Sequence, residues 1–447
     1  MNYFRNNFYQ HIIYPLYQYK YGNRVINIFK QISSTQDLSR EQIETYQYAK
    51  LMKLIKHAYH CVPYYKELMN NIGLKPEDIK NSTDLKYFPP LTKEIIRLNY
   101  EKLHSYDFHK RRVKKGSTGG TTGEPLKFIK DLNSIAWVEA CLIRGKSWAQ
   151  FKIGDVSVHF MSVGSPSTLG KIRAKMINAN YFSAFEHEKK LLAIASEIKK
   201  IGPKSLESYA STLFKIAKIK KNNINLNIKI PIIFSTGEML LSYQRKLIES
   251  QFQGKVFDYY GCNEIGSLAF ECEYQKKHIS EEHVVIETID SNFNNITNSI
   301  GEITITDLDN YAMPFIRYKN GDLGITSNVE CECGRKLKIL ESLEGRKQNF
   351  LRTVDGDYLS AIFFPFKFKD LKGISQYQVI QTDIMNITLK IVKNEYFSEF
   401  ELSEMVKTIK QKIGNGININ IREYKHIKLS NSGKHQLVFN EMLDNSS

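Results

Sequence analysis

At 447 residues the chain exceeds what one hydrophobic core usually supports, so two or more domains are expected. Its 42% hydrophobic and 12% aromatic residues exclude a disordered protein, and no apolar run reaches the ~18–20 residues of a membrane span. The formal charge of +16 would suit a polyanion, but the lysines are spread between apolar positions as a solvated surface requires, so no nucleic-acid partner is expected.

In chain order, Met1 to Lys20 is aromatic and polar, with neither an apolar core nor a small-residue cleavage site, which argues against secretion. An amphipathic membrane contact through Tyr3, Phe4, Phe8, Ile12 and Tyr14 finds weak support there. Six cysteines in so long a chain form no disulfide framework, and the cytoplasm is the expected compartment. Cys61, Cys141 and Cys262 read as buried and inert. Residues 39–62 read as a helix: Ser39 and Gln42 make a capping box, Leu51, Leu54, Ile55, Ala58 and Tyr59 form one apolar stripe, and Pro63 ends it.

A basic run from Lys110 to Lys115 then leads into Gly-Ser-Thr-Gly-Gly-Thr-Thr-Gly-Glu-Pro at 116–125. Glycines let successive backbone N–H groups converge, and hydroxyl side chains add short donors, which together suit the terminal phosphates of a nucleotide. No Lys-Ser/Thr pair closes the loop, so it is not of the Walker type, and a plain polar loop is the alternative. A short strand (126–129) and a helix (131–148) follow. Val156, Val158 and Phe160 alternate as in a strand, and Leu191, Ile194, Ala195 and Ile198 return to helical spacing.

Two short apolar strands end in unusual turns: 230–234 runs into Ser235-Thr236-Gly237-Glu238, and 256–260 into Gly261-Cys262-Asn263-Glu264. Helices alternating with buried strands predict α/β layers, whose ligands bind beyond the carboxyl ends of the strands. From Gly345 the pattern changes. Residues 377–391 suit a hairpin around Asp383 to Asn386, and 397–413 a helix with Phe397, Phe400, Met405, Ile409 and Ile413 near one face. Ile417, Ile419 and Ile421 alternate as a strand, completing a tail of about 100 residues, long enough to be a domain.

The unusual segments occur in order: the loop at Gly116, Ser235-Thr236-Gly237-Glu238, Tyr260-Gly261-Cys262-Asn263-Glu264, Arg317-Tyr318-Lys319-Asn320-Gly321-Asp322, Gly345-Arg346 and Ser432-Gly433-Lys434. This order resembles the adenylate-forming ligases over nearly the whole chain. Within them it is most similar to the branch of phenylacetate–coenzyme A ligases and capsule-biosynthesis (CapK-type) ligases, whose N-terminal region is matched by Tyr64-Tyr65-Lys66-Glu67 and Phe88-Pro89-Pro90-Leu91-Thr92-Lys93. The resemblance implies a large N-terminal multi-layer α/β domain, 1–344, and a small mobile C-terminal α+β domain, 345–447. It also implies a two-step reaction: a carboxylate attacks the α-phosphate of ATP to give acyl-AMP and pyrophosphate, and a nucleophile then displaces AMP.

In that frame Ser117, Thr118, Gly119, Gly120, Thr121, Thr122 and Gly123 would hold the β- and γ-phosphates. Gly237 and Glu238 would lie beside the adenine, and Tyr260, followed by Gly261, would stack on it. Glu264 would hold Mg²⁺, Asp322 would accept both ribose hydroxyls, and Arg346 would donate to the same sugar. Lys434 would reach the α-phosphate and the carboxylate as a compact charge on a long stem. Two departures from the family stand out. Asn263 replaces a threonine and can still donate to a phosphate oxygen, and Asn349 replaces the aspartate of the interdomain hinge.

Cys272, His278, Cys331 and Cys333 make a complete tetrahedral set for a structural Zn²⁺, with His283 as a substitute for His278. Several members of the resembled branch carry a similar pattern, and four unconnected reduced side chains are the alternative. The leading reading is an ATP- and Mg²⁺-dependent carboxylate ligase in polysaccharide or secondary-metabolite biosynthesis, with coenzyme A, an amine or a sugar as acyl acceptor and a homodimer suggested by the branch. The rival is a basic zinc-stabilised binding protein, either a nucleic-acid binder or an inactive relative of these ligases.

Overall fold

A computed structural model describes residues 8–18, 24–117, 126–161, 168–184, 188–223, 226–346, 350–354, 358–360, 363–364, 368, 371–427 and 437–444. A π-helical turn (Tyr9–Ile13) runs into α1 (Tyr14–Gln18), followed by α2 (Arg24–Thr35), α3 (Arg40–Cys61), α4 (Pro63–Asn71) and α5 (Lys93–Leu98). At the start of α3 the Gln42 N–H donates to Ser39 Oγ and the Ser39 N–H to Gln42 Oε1, closing the expected capping box. Leu51, Leu54, Ile55 and Ala58 are fully buried beneath it. Pro63 ends α3 but opens α4, because a proline fits the first helical position, where no N–H is needed.

The hairpin β1 (Val113–Ser117) and β2 (Lys127–Asp131) flanks the glycine-rich segment, whose residues 118–125 lie outside the described residues. Asp131 then caps α6 (Leu132–Trp148), its Oδ1 accepting from the Ser134 N–H at 2.8 Å. Alternation follows: β3 (Ser157–Met161), α7 (Thr168–Met176), β4 (Ala179–Ser183), α8 (Glu188–Ile201), β5 (Ser205–Ser208), α9 (Ala210–Asn222), β6 (Ile232–Thr236), α10 (Ser242–Phe252) and β7 (Lys255–Cys262). These strands run parallel in the order β4-β3-β5-β6-β7.

At β7 the sheet changes hand of pairing. β8 (Gly266–Glu271), β9 (Lys277–Ile279), β10 (Val284–Ile289), β11 (Asn295–Ile296), β12 (Gly301–Asp307), β13 (Tyr318–Ser327) and β14 (Ile339–Arg346) continue it antiparallel. Among the described residues the sheet has twelve strands, ordered β11-β10-β12-β13-β14-β9-β8-β7-β6-β5-β3-β4. Sheets beyond about ten strands rarely stay open without curling. Here register shifts at Tyr260/Gly261, Glu302/Thr304 and Leu323/Gly324 supply local bends. At the first of these a Cβ on Gly261 would sit 2.5 Å from the Gly266 carbonyl oxygen, so only glycine fits.

Among the described residues three large cores flank this sheet, and a small one joins Ala149 to Ile232 and Phe234 of β6 and Phe257 of β7. α3 and α4 pack with β8, β10, β12 and β13; α8, α9 and α10 pack on the parallel strands; α1, α2 and α6 cover β8 and the start of β14. A fifth core is built solely from residues 351–438. It belongs to β15 (Phe350–Arg352), β16 (Tyr358–Ser360), β17 (Ile374–Gln381), β18 (Asn386–Lys393), α11 (Glu399–Ile413), β19 (Asn418–Glu423), β20 (Val438–Asn440) and α12 (Glu441–Asp444), with the main sheet ordered β19-β18-β17-β20.

The β17–β18 hairpin turns at Asp383–Asn386 as expected, with Asp383 Oδ1 accepting from the Met385 N–H. Phe400 departs from expectation. It is 72% exposed because nine residues, about two and a half turns, put it opposite Ile409, and Leu402 takes the buried place. Cys141 is buried, and burial pushes its thiol up to about 12, but Cys61 and Cys262 are only half-buried. Among the described residues no helix is long and apolar enough to cross a membrane.

Candidate nucleotide site and cysteine cluster

The strand order reverses its logic at β7, and the unusual turns gather at that place. Tyr260 lies near the end of β7 with its hydroxyl donating to Asp322 Oδ2 at 2.7 Å. Asn320 completes a triangle, its Nδ2 donating to the Tyr260 oxygen at 2.5 Å and to Asp322 Oδ2 at 2.7 Å. The Asp322 N–H returns a bond to Asn320 Oδ1, and Gly321 between them holds φ at +88°. Burial, reinforced by the Asp322 charge, raises the Tyr260 hydroxyl well above its usual range, so it stays a neutral donor. Asn320 was not singled out in the sequence, although it stands two residues from Asp322 in the same motif.

Glu264 is buried just past β7, and Tyr318 on β13 donates its hydroxyl to Glu264 Oε1 at 2.8 Å. Lys130 on β2 reaches the same turn and donates to the Ile265 carbonyl at 3.0 Å. Burial lowers the Lys130 pKa, opposed by the neighbouring Cys262, Asp307 and Glu264. The Cys262 thiol is pushed up to about 12 by burial and by the Glu264 charge. Asn263, at the tip of the turn, is exposed.

On the other side of β7, Thr236 on β6 is in register with Tyr259, which brings Gly237, at φ +72°, beside Tyr260. Glu238 Oε2 accepts from the Ser211 N–H in the first turn of α9, where a helix favours a negative charge. Gly345 closes the ring, since a Cβ there would meet the Met239 side chain at 3.3 Å. Its neighbour Arg346 is in register with Asp322. Gly237, Glu238, Tyr260, Gly261, Asn263, Glu264, Asp322 and the Arg346 backbone thus come together. Ser117 stands exposed at the end of β1. Thr118, Gly119, Gly120, Thr121, Thr122, Gly123, Asn349 and Lys434 lie outside the described residues.

The four proposed zinc ligands also converge. Cys272 follows β8, His278 is on β9, and Cys331 and Cys333 sit between β13 and β14, with all four ligand atoms within 4.8 Å of one another. Cys272 Sγ and Cys331 Sγ are 3.7 Å apart, and Cys333 Sγ is 3.2 Å from His278 Nε2. A tetrahedral ion with Zn–S bonds of ~2.3 Å spaces its sulfurs by about 3.8 Å, close to the separation of Cys272 and Cys331, so this donor set fits zinc. His278 Nδ1 faces the Leu337 carbonyl at 3.2 Å, which leaves Nε2 to the cluster. His283 is not an alternative. It is buried elsewhere, with Nδ1 2.8 Å from Asp309 Oδ2, because five further residues carry it past β9 into the turn before β10.

A second polar cluster carried no sequence signal. Glu207, in β5, accepts from the Tyr259 hydroxyl at 2.7 Å, and its other oxygen pairs with Lys146 and lies 3.3 Å from His159 Nδ1. Burial pushes the carboxyl up, but the Lys146 and His159 charges outweigh it and hold Glu207 well below the usual range. These residues come from α6, β3, β5 and β7, and only the parallel sheet makes them neighbours.

Over 331 residues the chain is 24% identical to a phenylacetate-coenzyme A ligase of Thermus thermophilus, spanning 70% of this chain and 72% of that one. Residues 351–441 match the CapK C-terminal domain family. The chain is thus similar to adenylate-forming acyl ligases, on the side of the phenylacetate–coenzyme A ligases and the CapK proteins. The fold agrees. A crystal structure of 2-hydroxyisobutyryl-CoA ligase in complex with R3-HIB-AMP superposes with a TM-score of 0.70 at 15% identity over 89% of both chains. An anthranilate CoA ligase in complex with anthranoyl-AMP gives 0.51 at 12% identity over 72% of this chain and 65% of that one.

Proposed function

We propose that this ligase uses ATP to convert a carboxylic acid into an acyl-adenylate, releasing pyrophosphate, and then passes the acyl group to an acceptor. The observation that carries this reading is the pairing at the end of β7, where Tyr260 is joined to Asp322 and Tyr318 to Glu264. The Asp322 carboxylate, fixed by Tyr260 and Asn320, serves as the acceptor for ribose hydroxyls. Tyr260 lies beside Gly237 and Glu238, where the adenine is placed, with Arg346 on the strand next to Asp322. Mg²⁺ supplies charge neutralisation at the phosphates, and the buried Glu264, oriented by Tyr318, is the residue to hold it. Asn263 and Lys130 flank that carboxylate with a donor and a cation for the charge that builds as the acid attacks.

In the same reading, residues 1–344 form the large domain and 345–447 the small one, which carries Lys434 to the reacting groups and turns about Gly345-Arg346. Closing excludes water from the labile anhydride. Ser117 to Gly123 hold the outer phosphates. The acceptor is coenzyme A, an amine or a sugar, and the CapK-type C-terminal domain favours a role in polysaccharide or secondary-metabolite biosynthesis. Zinc at Cys272, His278, Cys331 and Cys333 is structural, since four protein ligands leave no open position for chemistry.

The test is product identity. Incubation with ATP, Mg²⁺ and a pool of carboxylic acids gives AMP and pyrophosphate, dependent on the acids and lost in Lys434→Ala. Release of ADP and phosphate instead would mean acyl-phosphate chemistry and overturn the assignment.

A further inference from the structure

The first helical segment of the chain, 8–18, has no polar side among its described side chains. Phe8, Ile12 and Leu16 are 50%, 48% and 61% exposed and stand four residues apart. The π-helical turn has more than 3.6 residues per turn, which brings residues at that spacing into line. The opposite side faces the body. Tyr14 is buried and donates its hydroxyl to Glu139 on α6 at 3.1 Å, and a Cβ on Gly154 would lie only 2.5 Å from that of Tyr9. Tyr14, expected on the outward face with Phe8 and Ile12, is turned inward. A row of large apolar side chains on the face turned away from the body is normally covered by a partner surface.

The charges along its own stretch of chain are one-sided, and the carboxyls beside it, Glu139 and Asp155, lie on the inward face, where Tyr14 donates to Glu139 and Lys204 pairs with Asp155. Met1 to Gln36 contains Arg5, Lys20, Arg24 and Lys30 and no Asp or Glu. α1 lies against α7, which belongs to a second acid-free stretch, 156–185, carrying Lys171, Arg173 and Lys175. There Ile172 is 55% exposed between the exposed Lys171 and Lys175. Arg24 and Lys30 are exposed on α2, whose other face buries Val25, Ile28 and Ile32. Large apolar side chains set among the cations of two acid-free stretches make a surface for a partner that is apolar beneath and anionic on top. A two-fold contact with a second copy would press this cationic patch against itself.

We infer that the face formed by residues 8–18 and α7 docks the ligase onto an anionic lipid surface, with Phe8, Ile12, Leu16 and Ile172 entering the headgroup layer and Lys171, Lys175, Arg24 and Lys30 pairing with lipid phosphates. The full chain is sedimented with vesicles of phosphatidylcholine alone and of phosphatidylcholine mixed with phosphatidylglycerol. Binding is expected on the mixed vesicles only, weakening as salt is raised. Neutralising Lys171 and Lys175 (K171Q/K175Q) lowers partitioning roughly fivefold for each charge removed. The substitution F8S/I12S/L16S lowers it by about tenfold or more at unchanged melting temperature. Binding that survives the apolar triple substitution would reduce the effect to net charge and overturn the proposal, as would equal binding to both vesicle types or none to either. A dimer that dissociates in the triple variant would overturn it too, assigning the face to a second copy.

Discussion

At the scale of single residues, the consequential groups hold other groups in place. Tyr318→Phe removes one hydroxyl and leaves Glu264 Oε1 without its 2.8 Å donor, a charge-assisted bond of about 1.5–3 kcal/mol. The expected outcome is a lower melting temperature together with a raised Mg²⁺ requirement for AMP release, read by titrating Mg²⁺ in the product assay. Gly261→Ala should cost about 1–3 kcal/mol, because its Cβ would strike backbone rather than a yielding side chain, and chemical denaturation measures this. Glu207 gives a pH signature. Its folded pKa lies below the unfolded value, so its stabilisation is complete above about pH 4.5 and fades as pH falls towards the folded value. Glu207→Gln should therefore cost about 3–5 kcal/mol at neutral pH, with the gap to wild type constant down to about pH 5 and narrowing below it. Glu264, Asp322 and Tyr260 drew attention because each sits in a turn of unusual composition. Tyr318 stands in the same motif as Asp322 but received no role, and Lys130 and Glu207 drew none, since a lysine or glutamate within a strand has the same local signature whether it orients a site or lies on a surface.

At the scale of elements, local physics was written plainly where a few adjacent residues decide it. The Ser39–Gln42 box and the β17–β18 turn each depend on side chains within four residues of one another, and each forms as expected; the Asp131 cap, equally local, sets the start of the helix expected over 131–148. Phe400 and Pro63 show the limit. Both have the right chemistry for the expected role, but the phase of α11 and the docking of α4 are settled by what packs against them. The cysteine cluster is intermediate: its ligands were visible, but that they lie within bonding range of one ion depends on β9 pairing with β14 through Ile339 and His278. Replacing Cys331 and Cys333 by serine should release bound zinc and lower the melting temperature by on the order of 5 °C. Metal analysis alongside the thermal melt checks both, and full metal occupancy in the double variant would refute the ligand set.

At the scale of the molecule, residues 351–438 fill a core of their own, from Leu351 and Phe364 to Ile413 and Val438. A piece spanning 350–447 should accordingly fold by itself, giving a dispersed amide spectrum and a cooperative melt. Lys434→Ala in the whole chain should nearly abolish adenylate formation while leaving ATP affinity and transfer from preformed acyl-AMP intact, and unchanged adenylation would refute the rotation of the small domain. The general layout was readable because alternating helices and strands imply a parallel sheet. The passage of that sheet into seven antiparallel strands beyond β7 was not, being set by pairings between segments distant in sequence. β14 has a particular place in this layout. It springs from the cysteine cluster, where Ile339 is paired with His278, and ends where Arg346 is paired with Asp322. It is a cantilever: the root is clamped by four side chains, and the tip carries the load-transfer point to everything that follows. Slackening the clamp would leave Tyr260 and Glu264 in place while letting the tip drift, so a fault at the root would be felt as imprecise aim at the far end.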